Sequence, residues 1–283
     1  MNYEELWQPL TQVYDAGEAR AVARMVLDVR FGMSLADVLC GKVTQLSAKE
    51  QAELQEIQQR LLQGEPVQYV LGVADFGPKT FLVTPDVLIP RPETYELCQW
   101  ITDDLSPLTS PLSPFSVLDI GTGSGCIACT LAAQWPQAKV TGWDISAKAL
   151  EVARRNAQRM GVDISFEQRD MLNQPYNEFG LWDVVVSNPP YVCDSEADDM
   201  EPWVLDYEPE TALFVPDDDP VMFYLQISNY AQSALKEGGR LYFEINPRFD
   251  EAIEDILLGL GFDDIRLKED QFGKTRFMKA TWH

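Results

Sequence analysis

Apolar positions change their spacing along the chain, and the change divides it. Over the first seventy residues they recur at helical intervals, as in GEARAVARMVLDVRFG (17–32), which ends at Gly32. SAKEQAELQEIQQRLLQG (47–64) opens with Ser47 and Glu50 at capping-box spacing and closes at Gly64. From 116 onward, short and nearly continuous apolar runs alternate with amphipathic stretches. SVLDIG, KVTGWD, ISFEQRD, WDVVVSN, GRLYFEI, DIRLKE and TRFMKATW read as strands. CIACTLAAQW, SAKALEVARRNAQRMG, a stretch near 220–237 and DEAIEDILLGLG read as helices. Alternating strand and helix predicts an α/β doubly wound sheet covered on both faces, with the last two strands antiparallel because their link is short.

Between these regions lies VADFGPKTFLVTPDVLIPRPETY (73–95). FLV and VLI are expected to be strands around a Thr84-Pro85-Asp86 turn, forming a hairpin linker. LSPLTSPLSPF (105–115) is expected to be a Pro/Ser-rich loop. The expected domains are therefore a helical docking region over 1–72, the hairpin and IPRPET loop over 73–109, and a catalytic domain over 110–283.

Net charge changes the picture of the partner. The chain carries −23, with no Lys or Arg between Asp170 and Leu235. That disfavours direct docking on a phosphate backbone and favours a basic protein or a small molecule. No apolar run is long enough to span a bilayer, and MNYEELWQPL has no secretory apolar core, so a cytoplasmic protein without membrane contact is expected. A monomer is expected. Five scattered cysteines fit a reduced chain. Cys126 and Cys129 lack a second ligand pair, so they read as small buried helix residues and no metal is expected. The single histidine, His283, rules out a histidine-based triad.

Two stretches carry candidate chemistry. VLDIGTGSGCIA sets Gly121, Gly123 and Gly125 between the first strand of the alternating region and its helix, where glycines admit a ligand to the backbone and a helix N-terminus offers free N–H groups. The spacing is neither the dinucleotide fingerprint nor a P-loop. Asp144 ends the next strand, placed to accept both hydroxyls of a ribose. Asp170 ends the third, near an adenine edge. These strand ends point to a nucleoside cofactor.

The fourth strand ends in SNPPYV. Asn188 is neutral, with one acceptor oxygen, and Pro189 keeps its carbonyl acceptor on a fixed backbone. Together they match a planar –NH2 group, and Tyr191 offers a ring face for stacking. An amide nitrogen is a poor nucleophile, so attack on a methyl sulfonium would rest on positioning and electrostatics. Ahead of the glycine loop, Arg91 sits between two prolines on stiff backbone, suited to placing one cation against a substrate.

DIGTGSG with SNPPYV resembles the S-adenosylmethionine-dependent amino methyltransferases. IPRPET, EPVQYVLG and YEPETAL, with the helical N-terminal region, resemble the HemK/PrmC family of peptide chain release factor glutamine N5-methyltransferases. The resemblance implies a seven-stranded, Rossmann-like methyltransferase fold that uses S-adenosyl-L-methionine. It implies that Gly121, Thr122, Gly123, Ser124, Gly125 and Asp144 hold the cofactor, with Asn188 beside it. It implies that Asn188, Pro189, Pro190 and Tyr191 hold the glutamine amide of a Gly-Gly-Gln motif in a release factor. Met171 stands where the family often has an aromatic residue and is expected to pack on adenine. After YEPETAL the chain continues FVPDDDPVMFY, more acidic than the glycines usual in the family. Competing readings are a ribosomal-protein glutamine methyltransferase, a nucleic-acid adenine N6 methyltransferase, and a cofactor-binding protein without activity.

Overall fold

The helices of the N-terminal region begin where polar side chains satisfy free backbone N–H groups. In the computed structural model, which describes residues 1–105, 115–173 and 178–283, α1 (Tyr3–Leu10) is capped by Asn2 with Glu5 closing a capping box. Asp15 accepts from Gly17 N at 2.7 Å and Glu18 N at 2.9 Å to open α2 (Ala16–Phe31), which ends at left-handed Gly32. After α3 (Leu35–Leu39), Ser47 and Glu50 form the expected box at the start of α4 (Ala48–Leu62). A short α5 (Val67–Leu71) follows. Leu6, Leu10, Val26, Leu27, Leu54 and Leu61 meet in one buried cluster. Gln58, in the apolar stripe of α4, donates to Glu5 O at 2.7 Å and Leu6 O at 2.8 Å, tying α4 to α1. This unit spans Met1–Val73 and includes Glu201–Tyr207, most of which forms helix α9 (Pro202–Tyr207). Tyr207 Oη donates to Gln63 O at 3.0 Å.

The second unit comprises Ala74–Met200 and Glu208–His283. A hairpin at its start pairs β1 (Val73–Phe76) with β2 (Lys79–Leu82), turning at Gly77-Pro78. The expected turn at Thr84–Asp86 exists, with Val87 N donating to Thr84 O at 3.1 Å, but VLI is not a strand. Val87 and Ile89 do point inward, yet Pro85, Pro90 and Pro92 leave too few N–H groups for a ladder. The second half of IPRPET is also not a loop. Pro92 opens α6 (Pro92–Leu105), since a first helical position needs no N–H. The Pro/Ser-rich stretch lies almost wholly outside the described residues.

The main sheet contains β3 (Ser116–Ile120), β4 (Lys139–Asp144), β5 (Ile164–Gln168), β6 (Trp182–Ser187), β9 (Leu235–Glu244), β10 (Asp263–Glu269) and β11 (Thr275–Thr281). Its seven strands run in the order β10-β11-β9-β6-β3-β4-β5. Strands β5, β4, β3, β6 and β9 are parallel, and β11 is antiparallel to both neighbours. Val184, Val185 and Val186 in β6 are all fully buried because helices cover both faces. One face packs against α10 (Met222–Ala234) and α11 (Asp250–Gly259) through residues such as Tyr224, Ile227 and Leu257. The other packs against α6, α7 (Cys126–Gln134) and α8 (Ala147–Met160) through Leu97, Ile101, Leu131 and Ala157. A small parallel ribbon joins β7 (Val192–Cys193) to β8 (Phe214–Val215). Strand order reverses between β3 and β6, which opens a crevice at their carboxyl ends. Among the described residues, no helix is long and apolar enough to cross a membrane.

Candidate active site

The glycine loop begins where β3 runs out. Gly121 N and Thr122 N both donate to Trp143 O at 2.9 Å, curling the chain toward β4. Gly121 has φ of 74°, and a Cβ there would stand 4.0 Å from Asn188 O, in the gap between the loop and the β6 turn. Gly125, at φ 78°, serves packing instead, since its Cβ would lie 3.1 Å from Ala153 Cβ on α8. Thr122 and Ser124 are buried.

Beneath the loop, Asp119 Oδ2 accepts from Thr122 Oγ1 at 2.6 Å and from Ala128 N, in the first turn of α7, at 3.1 Å. Its Oδ1 is buried without a partner. Burial pushes this carboxyl up to about 7, with the Asp144 charge adding to the shift and the Thr122 and Ala128 bonds opposing it. The same burial raises the Cys126 thiol to about 12, followed by the Asp119 charge. Such thiols are inert helix residues.

Asp144 ends β4 with Oδ2 accepting from Gly123 N and Oδ1 from Ser146 N, each at 2.8 Å. Each oxygen keeps a further lone pair, so the carboxylate retains room for a diol. Burial raises its pKa. The next residue, Ile145, is 57% exposed and presents an apolar surface beside it. Asp170 turns inward on its own backbone, accepting from Leu172 N at 3.0 Å and Asn173 Nδ2 at 2.7 Å. Met171, expected against adenine, is only 8% exposed and packs in the core with Trp143 and Tyr224. The 3-10 turn Met171–Asn173 directs it there, so Ile145 is the more accessible apolar group.

On the other side of the crevice, Ser187 Oγ donates to Ile120 O at 2.7 Å and locks the end of β6 to β3. Asn188 Nδ2 donates to Thr94 Oγ1 at 3.1 Å. Thr94 Oγ1 donates to Glu244 Oε2 at 2.7 Å, and Tyr191 Oη donates to Glu244 Oε1 at 3.1 Å. Burial raises the Glu244 pKa, while these donors and the Arg276 charge oppose that shift. Burial, then the Glu244 charge, pushes the Tyr191 hydroxyl far up, so it stays protonated as a donor. Asn246 Nδ2 holds Tyr191 O at 3.1 Å. Arg91 Nη2 reaches Glu208 Oε1 at 2.5 Å, and Ile89 N donates to Glu208 Oε2 at 3.1 Å. The guanidinium therefore joins IPRPET to YEPETAL. His283 is largely exposed and pairs with Asp263 at the edge strand β10, away from this crevice. Among the described residues, no group of three or more His, Cys, Asp or Glu side chains is placed to hold a metal.

A family model described as methyltransferase small domain matches residues 105–203, and one described as PrmC N-terminal domain matches 10–72. A Bacteroides thetaiotaomicron protein named release factor glutamine methyltransferase is 41% identical over 273 residues, 96% of each chain. The chain belongs to the release factor glutamine methyltransferase family. A Flavobacterium psychrophilum relative of that name is 36% identical over 97% of this chain and 96% of its own. One from Bacillus subtilis is 31% identical over 99% of this chain and 98% of its own.

Within this family member, sequence reasoning did not single out Thr94, Ile145, Asn156 or Glu244. Asn156 lies in the buried stripe of α8, where a carboxamide among alanines and leucines is a visible signal. It accepts from Leu82 N at 2.7 Å and donates to Leu82 O at 3.0 Å and Ser124 O at 2.8 Å. The hairpin, α8 and the glycine loop are thus fastened together. Glu244 is a charged residue closing a strongly apolar strand, which is again a signal of a paired buried group.

Proposed function

We infer that this protein transfers a methyl group from S-adenosyl-L-methionine to the side-chain amide nitrogen of a glutamine in a peptide chain release factor, within its Gly-Gly-Gln motif. The observation that carries this reading is the Asn188 carboxamide, anchored through its nitrogen to Thr94 at the mouth of the glycine-loop crevice. The nearly full-length relatives bear the corresponding name.

The residues present fit the cofactor. A Cβ on Gly121 would occupy the space left open beside Asn188 O, and Asp119 keeps an unpartnered buried oxygen under the loop. Gly121, Thr122, Gly123, Ser124 and Gly125 would line the cofactor, Asp144 would take the ribose hydroxyls, and Ile145 would lie against the base. When bound, S-adenosyl-L-methionine supplies an electrophilic methyl on a sulfonium.

On the substrate side, Asn188 Oδ1 and the Pro189 carbonyl accept the two amide hydrogens and fix the nitrogen's approach. Pro190 stiffens the turn, and Tyr191 presents its ring to the planar amide. Two acceptors polarise the nitrogen without removing its proton first, so no strong base is needed. The proton leaves to water after transfer. The acidic surface suits a basic protein partner rather than nucleic acid. One copy of the chain carries every residue used, which supports action as a monomer.

Incubating the full chain with a release factor and radiolabelled S-adenosyl-L-methionine should place label on the Gly-Gly-Gln glutamine, located by peptide mass spectrometry. Label on a ribosomal protein or on nucleic acid, with none on the factor, would overturn the reading. Asn188→Ala is expected to bind cofactor normally and transfer no methyl.

A further inference from the structure

Glu244 lies beside Asn188 because Phe243 in β9 is in register with Ser187 in β6. Glu244 is 1% exposed and Thr94 is 3% exposed. We propose that Glu244 and Thr94 are positioning residues that dictate which end of the Asn188 carboxamide faces the substrate. The proposal rests on the functional reading above and adds how that site recognises an amide.

The logic is one of hydrogen-bond polarity. An ionised carboxylate only accepts. The single proton of the Thr94 hydroxyl is therefore committed to Glu244 Oε2, at 2.7 Å. Thr94 Oγ1 is left with lone pairs only, and it accepts a hydrogen bond from Asn188 Nδ2 at 3.1 Å. That anchors the nitrogen end of the carboxamide. Among the described residues, Asn188 Oδ1 accepts no bond, so the oxygen is the end left for a ligand. Rotating the carboxamide by half a turn would set its NH2 against a substrate NH2, donor facing donor. The chain Glu244, Thr94, Asn188 forbids that rotation. Glu244 also accepts from Tyr191 Oη at 3.1 Å, so one carboxylate holds Tyr191 directly and Asn188 through Thr94.

Folding alone does not call for this arrangement. A buried carboxylate carries a desolvation penalty that a neutral isostere avoids. Its use here is to make the hydroxyl of Thr94 an acceptor toward Asn188. The consequence is discrimination. A site offering an acceptor grips glutamine and repels glutamate, whose carboxylate has no proton to give.

The test uses Glu244→Gln, Thr94→Val and Thr94→Ser in the full chain. Four quantities are read: the melting midpoint, affinity for S-adenosylhomocysteine, kcat and KM on the release factor, and a binding preference. That preference is the affinity for the natural release factor relative to one carrying Glu at the target position, measured without cofactor. Glu244→Gln and Thr94→Val should lower kcat by on the order of 10²-fold and reduce the Gln-over-Glu preference about tenfold or more. Their affinity for S-adenosylhomocysteine should stay unchanged. Thr94→Ser, which keeps the hydroxyl, should restore kcat and the preference. If Glu244→Gln fails to fold, the two Thr94 variants decide alone. Unchanged kcat and preference in Thr94→Val would overturn the proposal, and so would a lower melting midpoint with an unchanged preference. Absence of label on the factor with the unmodified protein would instead sink the functional reading itself.

Discussion

Arg91 Nη2 and Glu208 Oε1 stand 2.5 Å apart, and the Glu208 side chain is wholly buried. The pair binds together two motifs separated by 117 positions. Removing the guanidinium strands a buried carboxylate, so Arg91→Met is expected to destabilise the protein by about 3–5 kcal/mol. Denaturant midpoints check this. Adding Glu208→Gln to that variant should recover part of the loss. A role confined to substrate contact would raise KM and leave the midpoint in place.

Asp119 makes stability depend on pH. Its carboxyl moves from an ordinary 3.8 to about 7 in the fold. Well below 3.8 folded and unfolded chains both carry the proton, and the group adds no penalty. As pH rises toward 7 the unfolded chain releases its proton first, which favours unfolding. Asp119→Asn removes the charge while keeping the acceptor for Thr122 and Ala128. Between pH 5 and 7 the natural protein should therefore lose on the order of 2 kcal/mol relative to the variant. Thermal melts of both across that range read the difference.

Asn156 holds three backbone groups on two separate segments. Asn156→Leu leaves the Leu82 N–H and the Leu82 and Ser124 carbonyls without that partner. The expected loss is about 3 kcal/mol, measured by chemical denaturation. Amide exchange should also quicken at Leu82.

Gly121→Ala should weaken the cofactor site more than the fold. The added methyl faces Asn188 O across the gap rather than the core. Crowding a filled site costs about 1–3 kcal/mol, a tenfold or greater loss of affinity. Calorimetry with S-adenosylhomocysteine measures it, and a melting midpoint lowered by only the strain of a left-handed alanine accompanies it.

The sheet was legible because its central strands β3, β4 and β6 are buried on both faces. A run such as Val184 to Val186 suits a strand covered on both faces, and Gly121, Gly123 and Gly125 mark where β3 gives way to α7. The hairpin was legible in kind but misplaced: VLI alternates inward like a strand, while its flanking prolines deny it a ladder. The same prolines hid α6, because Pro92 reads as a breaker unless it is placed at a first helical turn. The Thr94–Glu244 contact joins residues 150 positions apart, and no local pattern encodes such a pairing. Met171 shows the converse limit. Its neighbour Asp170 caps the turn and rolls the methionine into the core, a rotation that spacing does not reveal.

Strand β11 is the last of the seven to be synthesised, yet it lies between β9 and β10. Until it emerges from the ribosome, one edge of β9 has no hydrogen-bonding neighbour, and Phe277, Met278 and Ala280 are missing from the two cores they complete. The nascent chain therefore waits with an open, sticky seam near one edge of its sheet. Closure of that seam is a late event in the biogenesis of this unit, and a chain cut short before Thr275 keeps that side of β9 unpaired.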